Sequence, residues 1–308
     1  MTTALLTHAD CLSHITPPGH PERVARLEHV LHALADLDLR RESAPLADLT
    51  EILRLHPQAH LDAIHNAVPD SGTHQIDGDT FVSPGSWDAA LRGVGAVLRA
   101  TDMVIAGDVA NAFCAIRPPG HHAERATPMG FCLFGNAALA AQYALDHHGV
   151  SRVAVVDFDV HHGNGTQDLL WDEPRALVVT SQQMPLWPGT GTPSERGAHG
   201  NILNLPLPPD STGDDMRSAY SAHVFPRLRD FAPDLLIISA GFDAHCDDPL
   251  AQLNWTTDDF AWLTAQLCEI ARDVCGGRVV STLEGGYDLD ALAASTRAHV
   301  NILKDFGT

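Results

Sequence analysis

An α/β fold, doubly wound around a mainly parallel sheet, is predicted on three observations. Short β-branched and apolar runs recur along the 308 residues, and runs apolar at successive positions suit strands covered on both faces. Segments with apolar residues near i, i+3, i+4 and i+7 lie between them, and this alternation is the pattern of parallel strands joined by crossover helices. The polar residues of chemical interest stand just after the apolar runs, at the strand ends where such sheets bind ligands.

In chain order, helical spacing covers residues 21–37 and 86–99, and the first apolar run, 112–116, ends at Arg117. A helix over 136–147 leads to the run 153–156, and a further run follows at 176–180. Proline and glycine in 184–200 and 206–213 predict long loops. A helix over 214–231 precedes the run 235–239, and one over 257–274 precedes the run 279–282. Thr257, Asp258 and Asp259 supply that last helix with a cap and first-turn carboxylates, and Cys275-Gly276-Gly277 supplies a stop. No repeat, low-complexity tract or linker breaks the pattern, so a single domain over residues 1–308 is expected.

Lys and Arg total 19 against 39 Asp and Glu, a formal charge of -20. This argues against a nucleic-acid partner, which needs a basic patch, and would draw a cationic substrate in. Such a charge also simply keeps a surface solvated. The six cysteines form no CxxC pair, so neither a Cys-type zinc module nor a disulfide framework is indicated, and reduced cytoplasmic thiols are expected. The stretch MTTALLTHADCL lacks a basic n-region, and no run approaches the ~18 apolar residues of a membrane span. A soluble cytoplasmic protein with no membrane partner is the expectation.

In DFDVHHGNGTQ, Asp157, Asp159 and His161 fall at i, i+2 and i+4, so a continuing strand would project them from one face. In LLIISAGFDAH, a second apolar run delivers Asp243 and His245. Two Asp and one His from neighbouring strand ends could hold a divalent metal with positions open for water and substrate. A lone Asp after a strand is more often a cap or turn residue, but two buried carboxylates on one face repel each other without a cation.

RPPGHHAERATPMGFC sets His121 beside His122 in a proline-stiffened loop, and paired imidazoles suit general acid–base work near neutral pH. His147-His148, with no apolar run ahead of it, reads as a surface pair. In VVSTLEGGYDLDALA, a turn at Gly285-Gly286 can aim the Tyr287 phenol inward, where it would donate to a carbonyl oxygen gaining negative charge. Packing with a bonded hydroxyl is the commoner fate of such a Tyr. Asp77 and Asp79 in IDGDTFVSP read first as turn residues and second as groups on a pocket rim. No glycine-rich stretch matches a phosphate fingerprint, and Ser239 lacks the GxSxG elbow, which leaves metal-activated water as the nucleophile.

RPPGHHA, GFCLFGNAALAA, DFDVHHGNGTQ, PGTG, SAGFDAH and LEGGYDL, in this order along the chain, together resemble the zinc-dependent histone deacetylase and acetylpolyamine amidohydrolase superfamily, on its class II-like bacterial side. The resemblance implies the arginase/deacetylase fold, a mainly eight-stranded parallel sheet between helices. It implies that Asp159, His161 and Asp243 bind one catalytic Zn2+, with His122 as base, His121 nearer the leaving group, Asp157 orienting His121 and Asn164 behind His122. Tyr287 would polarise the scissile carbonyl. Gly130, Phe131 and Trp187 would line an acyl-lysine tunnel, with Leu250 at its gate, where a polyamine-selective branch carries Glu. A structural K+ would take Asp157, Asp159 and His161 with Thr180 and Ser181, through main-chain or side-chain oxygens. His162, pointing away from His161, would have a supporting structural role.

The activity so implied is hydrolysis of an acetyl or acyl amide on a lysine side chain of a peptide or protein, or on a small acetylated amine. An acetylpolyamine amidohydrolase is the near alternative. A binuclear ureohydrolase of the arginase type would need a DxHxD pattern, whereas Gly163 follows His161 here. A catalytically silent acyl-lysine-binding module would be expected to lose Tyr287 or one of the paired histidines, and both pair members and the Tyr are present.

Overall fold

Eight strands form one all-parallel sheet in the computed structural model of the protein, which describes residues 2–307. In chain order they are β1 (Thr3–Thr7), β2 (Arg40–Ser43), β5 (Asn111–Cys114), β6 (Val153–Asp157), β7 (Ala176–Gln183), β8 (Ile202–Leu207), β9 (Leu235–Ala240) and β10 (Val279–Leu283); β3 (His74–Gln75) and β4 (Phe81–Val82) pair separately as a short antiparallel hairpin. Across the sheet the order is β2-β1-β5-β10-β9-β6-β7-β8.

Every residue of β5, β6, β7, β9 and β10 is buried, as expected of Val- and Ile-rich runs with helices on both faces. Helices Ser86–Ala106 and Asn136–His147 pack together on one side of the sheet. Helices Thr257–Cys275 and Leu289–Phe306 pack together on the other, where Val24–Ala33 joins the latter. Two capping boxes start helices, Thr212 with Asp215 and Thr256 with Asp259, so the cap of the Thr257–Cys275 helix sits one residue before the expected one. Its stop is Gly276, in the left-handed conformation at φ +64°.

Several elements differ from the sequence-based expectation. The edge strand β2 is charged and largely exposed, so it has no apolar run to betray it. β8 is the opposite edge and runs into the expected loop 206–213 through Pro206, a residue that edge strands tolerate. The helix expected over 214–231 is continuous only through a π-helical turn at Tyr220–Val224, where the buried Tyr220 hydroxyl meets Ser181 Oγ at 2.7 Å. All six cysteines are unpaired. No helix among the described residues is long and apolar enough to cross a membrane.

Candidate active site

The site forms at the carboxyl ends of the adjacent strands β6, β9 and β10. β6 stops at Asp157, because the Asp157 Oδ1 accepts the Asp159 N–H at 3.0 Å and bends the chain into an Asx turn. The strand therefore does not persist to His161, and strand alternation is not what gathers the acidic residues. The loop does so instead. It brings His161 Nδ1 to 3.2 Å from Asp159 Oδ1 and 3.0 Å from Asp243 Oδ2.

These three residues offer ligand atoms that all lie within 4.8 Å of one another. The second oxygen of each carboxylate is held by the main chain: Asp159 Oδ2 accepts the Gly285 N–H at 2.8 Å, and Asp243 Oδ1 accepts the Val160 N–H at 2.9 Å. Burial and the neighbouring Asp159 push the Asp243 carboxyl up to about 7. Burial opposes charge on His161 too, yet Asp159 and Asp243 outweigh it and raise that imidazole to about 10. Two buried carboxylates and an imidazole thus compete for positive charge, a donor set of one nitrogen and two oxygens that fits a zinc-sized divalent cation. His245 turns away from this group and instead gathers with Cys246 and Asp247, both exposed.

His121 and His122 are buried side by side, their ring centroids 3.8 Å apart, and have different partners. His121 Nδ1 lies 3.0 Å from Asp157 Oδ2, and its Nε2 lies 3.7 Å from Asp159 Oδ2. Burial disfavours its charge, but Asp159 and Asp157 prevail and raise it to about 10. His122 Nδ1 lies 2.8 Å from Asn164 Oδ1, while Asn164 Nδ2 donates to Glu124 Oε1 at 2.8 Å. A carboxylate only accepts, so this network assigns the amide orientation and puts a proton on His122 Nδ1, leaving Nε2 with a lone pair. Burial, then the charges of His121 and His161, hold His122 well below the usual imidazole range. One ring is set up to stay neutral and its neighbour to hold a proton.

His122, His161 and Tyr287 face a cavity of about 400 Å³, and Gly130, Phe131, Trp187 and Leu250 line it with them. Trp187 is 42% exposed at the mouth and meets the His122 ring edge-on at 4.7 Å. Phe131 sits in the left-handed region at φ +68°, with its N–H donating to Thr80 Oγ1 at 3.0 Å and its ring 5.9 Å from Tyr287. Asp79 lines the cavity, together with His20 and Phe81 from outside the expected set; Asp77 is not among the lining residues.

Gly130, at φ +56°, leaves no room for a side chain: a Cβ there would stand 2.5 Å from His122 Cδ2 and 2.6 Å from the Trp187 ring. Gly130→Ala is expected to displace the His122 ring and lower kcat/KM about 10²-fold, which steady-state kinetics of the variant against the wild type would check.

Thr180 pairs in register with Asp157, but its hydroxyl is engaged by Gln182 and Asn204, and that of Ser181 by Tyr220. His162 is bound between Thr190 and Gln167, away from the cavity. His147 and His148 meet Glu51 and Asp102 toward the surface.

Sequence reading missed the buried groups behind this front. Glu22 bridges Arg26 and Arg117, all three without exposed surface, and Arg117 also donates to the Cys11 and His14 carbonyls. Arg26 donates to the Glu284 and Gly286 carbonyls, both at 2.5 Å, and lies over the Tyr287 ring at 4.9 Å. Glu284 Oε2 accepts the Gly120 and His121 N–H groups at 2.7 and 3.2 Å, which fixes the paired-histidine loop. The i, i+4 spacing of Glu22 and Arg26 and the place of Glu284 just after β10 were the available signals.

Residues 20–303 match the histone deacetylase domain family. Histone deacetylase 10, chloroplastic, of Oryza sativa subsp. japonica is 39% identical over 300 residues, which cover 90% of this chain and 68% of that one. The histone deacetylase-like amidohydrolase of Pseudomonas aeruginosa is 38% identical over 278 residues, covering 89% of this chain and 72% of that one. Among solved structures, the HDA15 HD domain matches with a TM-score of 0.91 and 32% identity, over 97% of this chain and 90% of that one. With its α/β architecture and eight-stranded parallel sheet shared with that structure, the chain belongs to the histone deacetylase family of hydrolases.

Proposed function

We propose that the protein is a zinc-dependent deacylase that hydrolyses the amide of an acyl-lysine side chain, in a peptide or protein, releasing the carboxylic acid and the free amine. The observation that carries this reading is one cavity lined by His122, His161 and Tyr287, with Asp159 and Asp243 set against His161 Nδ1 behind it. When bound by Asp159, His161 and Asp243, zinc supplies Lewis acidity toward the carbonyl and acidifies water.

The chain's own residues do the rest. His122 Nε2 takes a proton from the water that attacks the carbonyl carbon. Tyr287 donates its hydroxyl to the oxygen that becomes negative; burial raises this phenol well above its ordinary value, so it stays a donor at working pH. The histidine pair then protonates the nitrogen as the C–N bond breaks, with His121 held for that task by Asp157. Phe131, Trp187 and Leu250 give the cavity walls that suit an aliphatic lysine chain.

We place a structural K+ beside Asp157 and Asp159, as the family resemblance implies, with oxygen from His161, Thr180 and Ser181. Thr180 and Ser181 would contribute main-chain or side-chain oxygens, since a hydroxyl that donates a hydrogen bond, as that of Thr180 does, keeps its lone pairs. One deacetylase domain spanning residues 1–308 and a cytoplasmic setting complete the reading, the latter supported by the unpaired cysteines. The second reading, hydrolysis of an acetylated polyamine, is favoured by Asp79, a residue of the cavity lining whose acidic side chain would suit a distal ammonium.

A panel of acetyl-lysine peptides, longer acyl-lysine peptides and N-acetylated polyamines separates the two. The proposal expects the highest kcat/KM on an acyl-lysine peptide. A kcat/KM tenfold or more higher on the polyamines would move the assignment to the second reading.

A further inference from the structure

We infer that Asp248 is a positioning residue that locks the Tyr287 turn and the Leu250 wall of the cavity into one arrangement. The inference rests on the deacylase reading of that cavity. Asp248 is 7% exposed, does not line the cavity, and its hydrogen-bond partners are main-chain N–H groups of two segments nearly forty residues apart. Oδ1 accepts from Leu250 at 3.0 Å, and Oδ2 accepts from Tyr287 at 2.7 Å and from Asp288 at 3.4 Å.

The Tyr287 turn needs such an anchor. It follows Gly285 and Gly286, the latter at φ +117°, a conformation that glycine adopts freely and that leaves the backbone soft. Arg26 holds the carbonyl side of this turn through Glu284 and Gly286, and Asp248 holds its N–H side. A cation on the carbonyls and an anion on the N–H groups fix the peptide units from opposite ends. The same carboxylate reaches Leu250 with its other oxygen, so the height of the phenol and the position of the gate are set together.

Only a carboxylate accepts on both sides. The amide of Asp248→Asn has one acceptor oxygen, so its NH2 must face the N–H of either Leu250 or Tyr287. Asp248→Ser is shorter and loses one side outright.

The test is a double-mutant cycle with Tyr287→Phe, on zinc-reconstituted protein with metal content and thermal midpoint measured for each variant. If Asp248 acts through Tyr287, Asp248→Asn or Asp248→Ser lowers kcat about tenfold in the wild-type background and less than about twofold in the Tyr287→Phe background. The Leu250 link predicts in addition a raised KM for acyl-lysine peptides in both backgrounds. Equal losses of kcat in the two backgrounds, or none in either, would overturn the inference, since a purely structural defect lowers the active fraction whatever stands at 287. Wild-type turnover by Tyr287→Phe alone would instead remove the oxyanion role on which the inference depends.

Discussion

Tyr287→Phe is expected to bind zinc with unchanged stoichiometry and to lose about 10²- to 10³-fold in kcat, the usual cost of removing one oxyanion donor. The ring itself is well supported without its hydroxyl. Phe131 meets it edge-on, the Arg26 guanidinium covers one face, and the main chain is tied to Asp248. Phenylalanine should therefore occupy the same place, and KM should change far less than kcat, because the lost hydrogen bond matters most when the carbonyl oxygen is negative. Kinetics and metal analysis on the same preparation check this.

Asp243→Ala should abolish both metal binding and turnover, and its stability should stop responding to chelator. In the wild type, a cation held by Asp159, His161 and Asp243 would bind the folded chain only, and so would stabilise that chain by mass action. Chelation should then lower the thermal midpoint on the order of 5–10 °C for a chain of this size at saturating metal. Asp243 and Asp159 are buried close to one another, and removing one relieves the repulsion that the metal otherwise offsets. The variant's midpoint should accordingly be the same with and without chelator, which a pair of calorimetric scans would measure.

What the sequence made legible was the chemistry nearest the strand ends. Asp157, Asp159 and Asp243 each follow an apolar run within four residues, so the sheet's own rule for ligand placement points at them. Their convergence nonetheless has a local cause that strand periodicity does not contain: an Asx turn at Asp157, and not a continuing strand, delivers Asp159 and His161. β5, β6, β7, β9 and β10 were visible because burial on both faces demands unbroken hydrophobicity; β1, a short interior run bounded by threonines, and the edges β2 and β8, which carry charge or proline, were not.

The supporting residues were the least legible. Glu22, Arg26 and Arg117 look like ordinary surface charges in the sequence, and Asp248 like one of two acids in a loop. Their significance comes from pairings across 95 and 258 residues, which no local pattern encodes. His20 and Phe81 reach the cavity from segments whose local sequence shows only a turn and a short extended stretch.

Zinc dependence is measured by acetate release from an acetyl-lysine peptide, followed while zinc is added back to chelated protein. Release is expected to be absent after chelation, to return in proportion to zinc up to one equivalent per chain, and to stay absent in Asp243→Ala. Undiminished release in chelator, or one bound zinc with no release from any acyl-lysine or acetylated amine, would contradict the zinc-dependent deacylase reading.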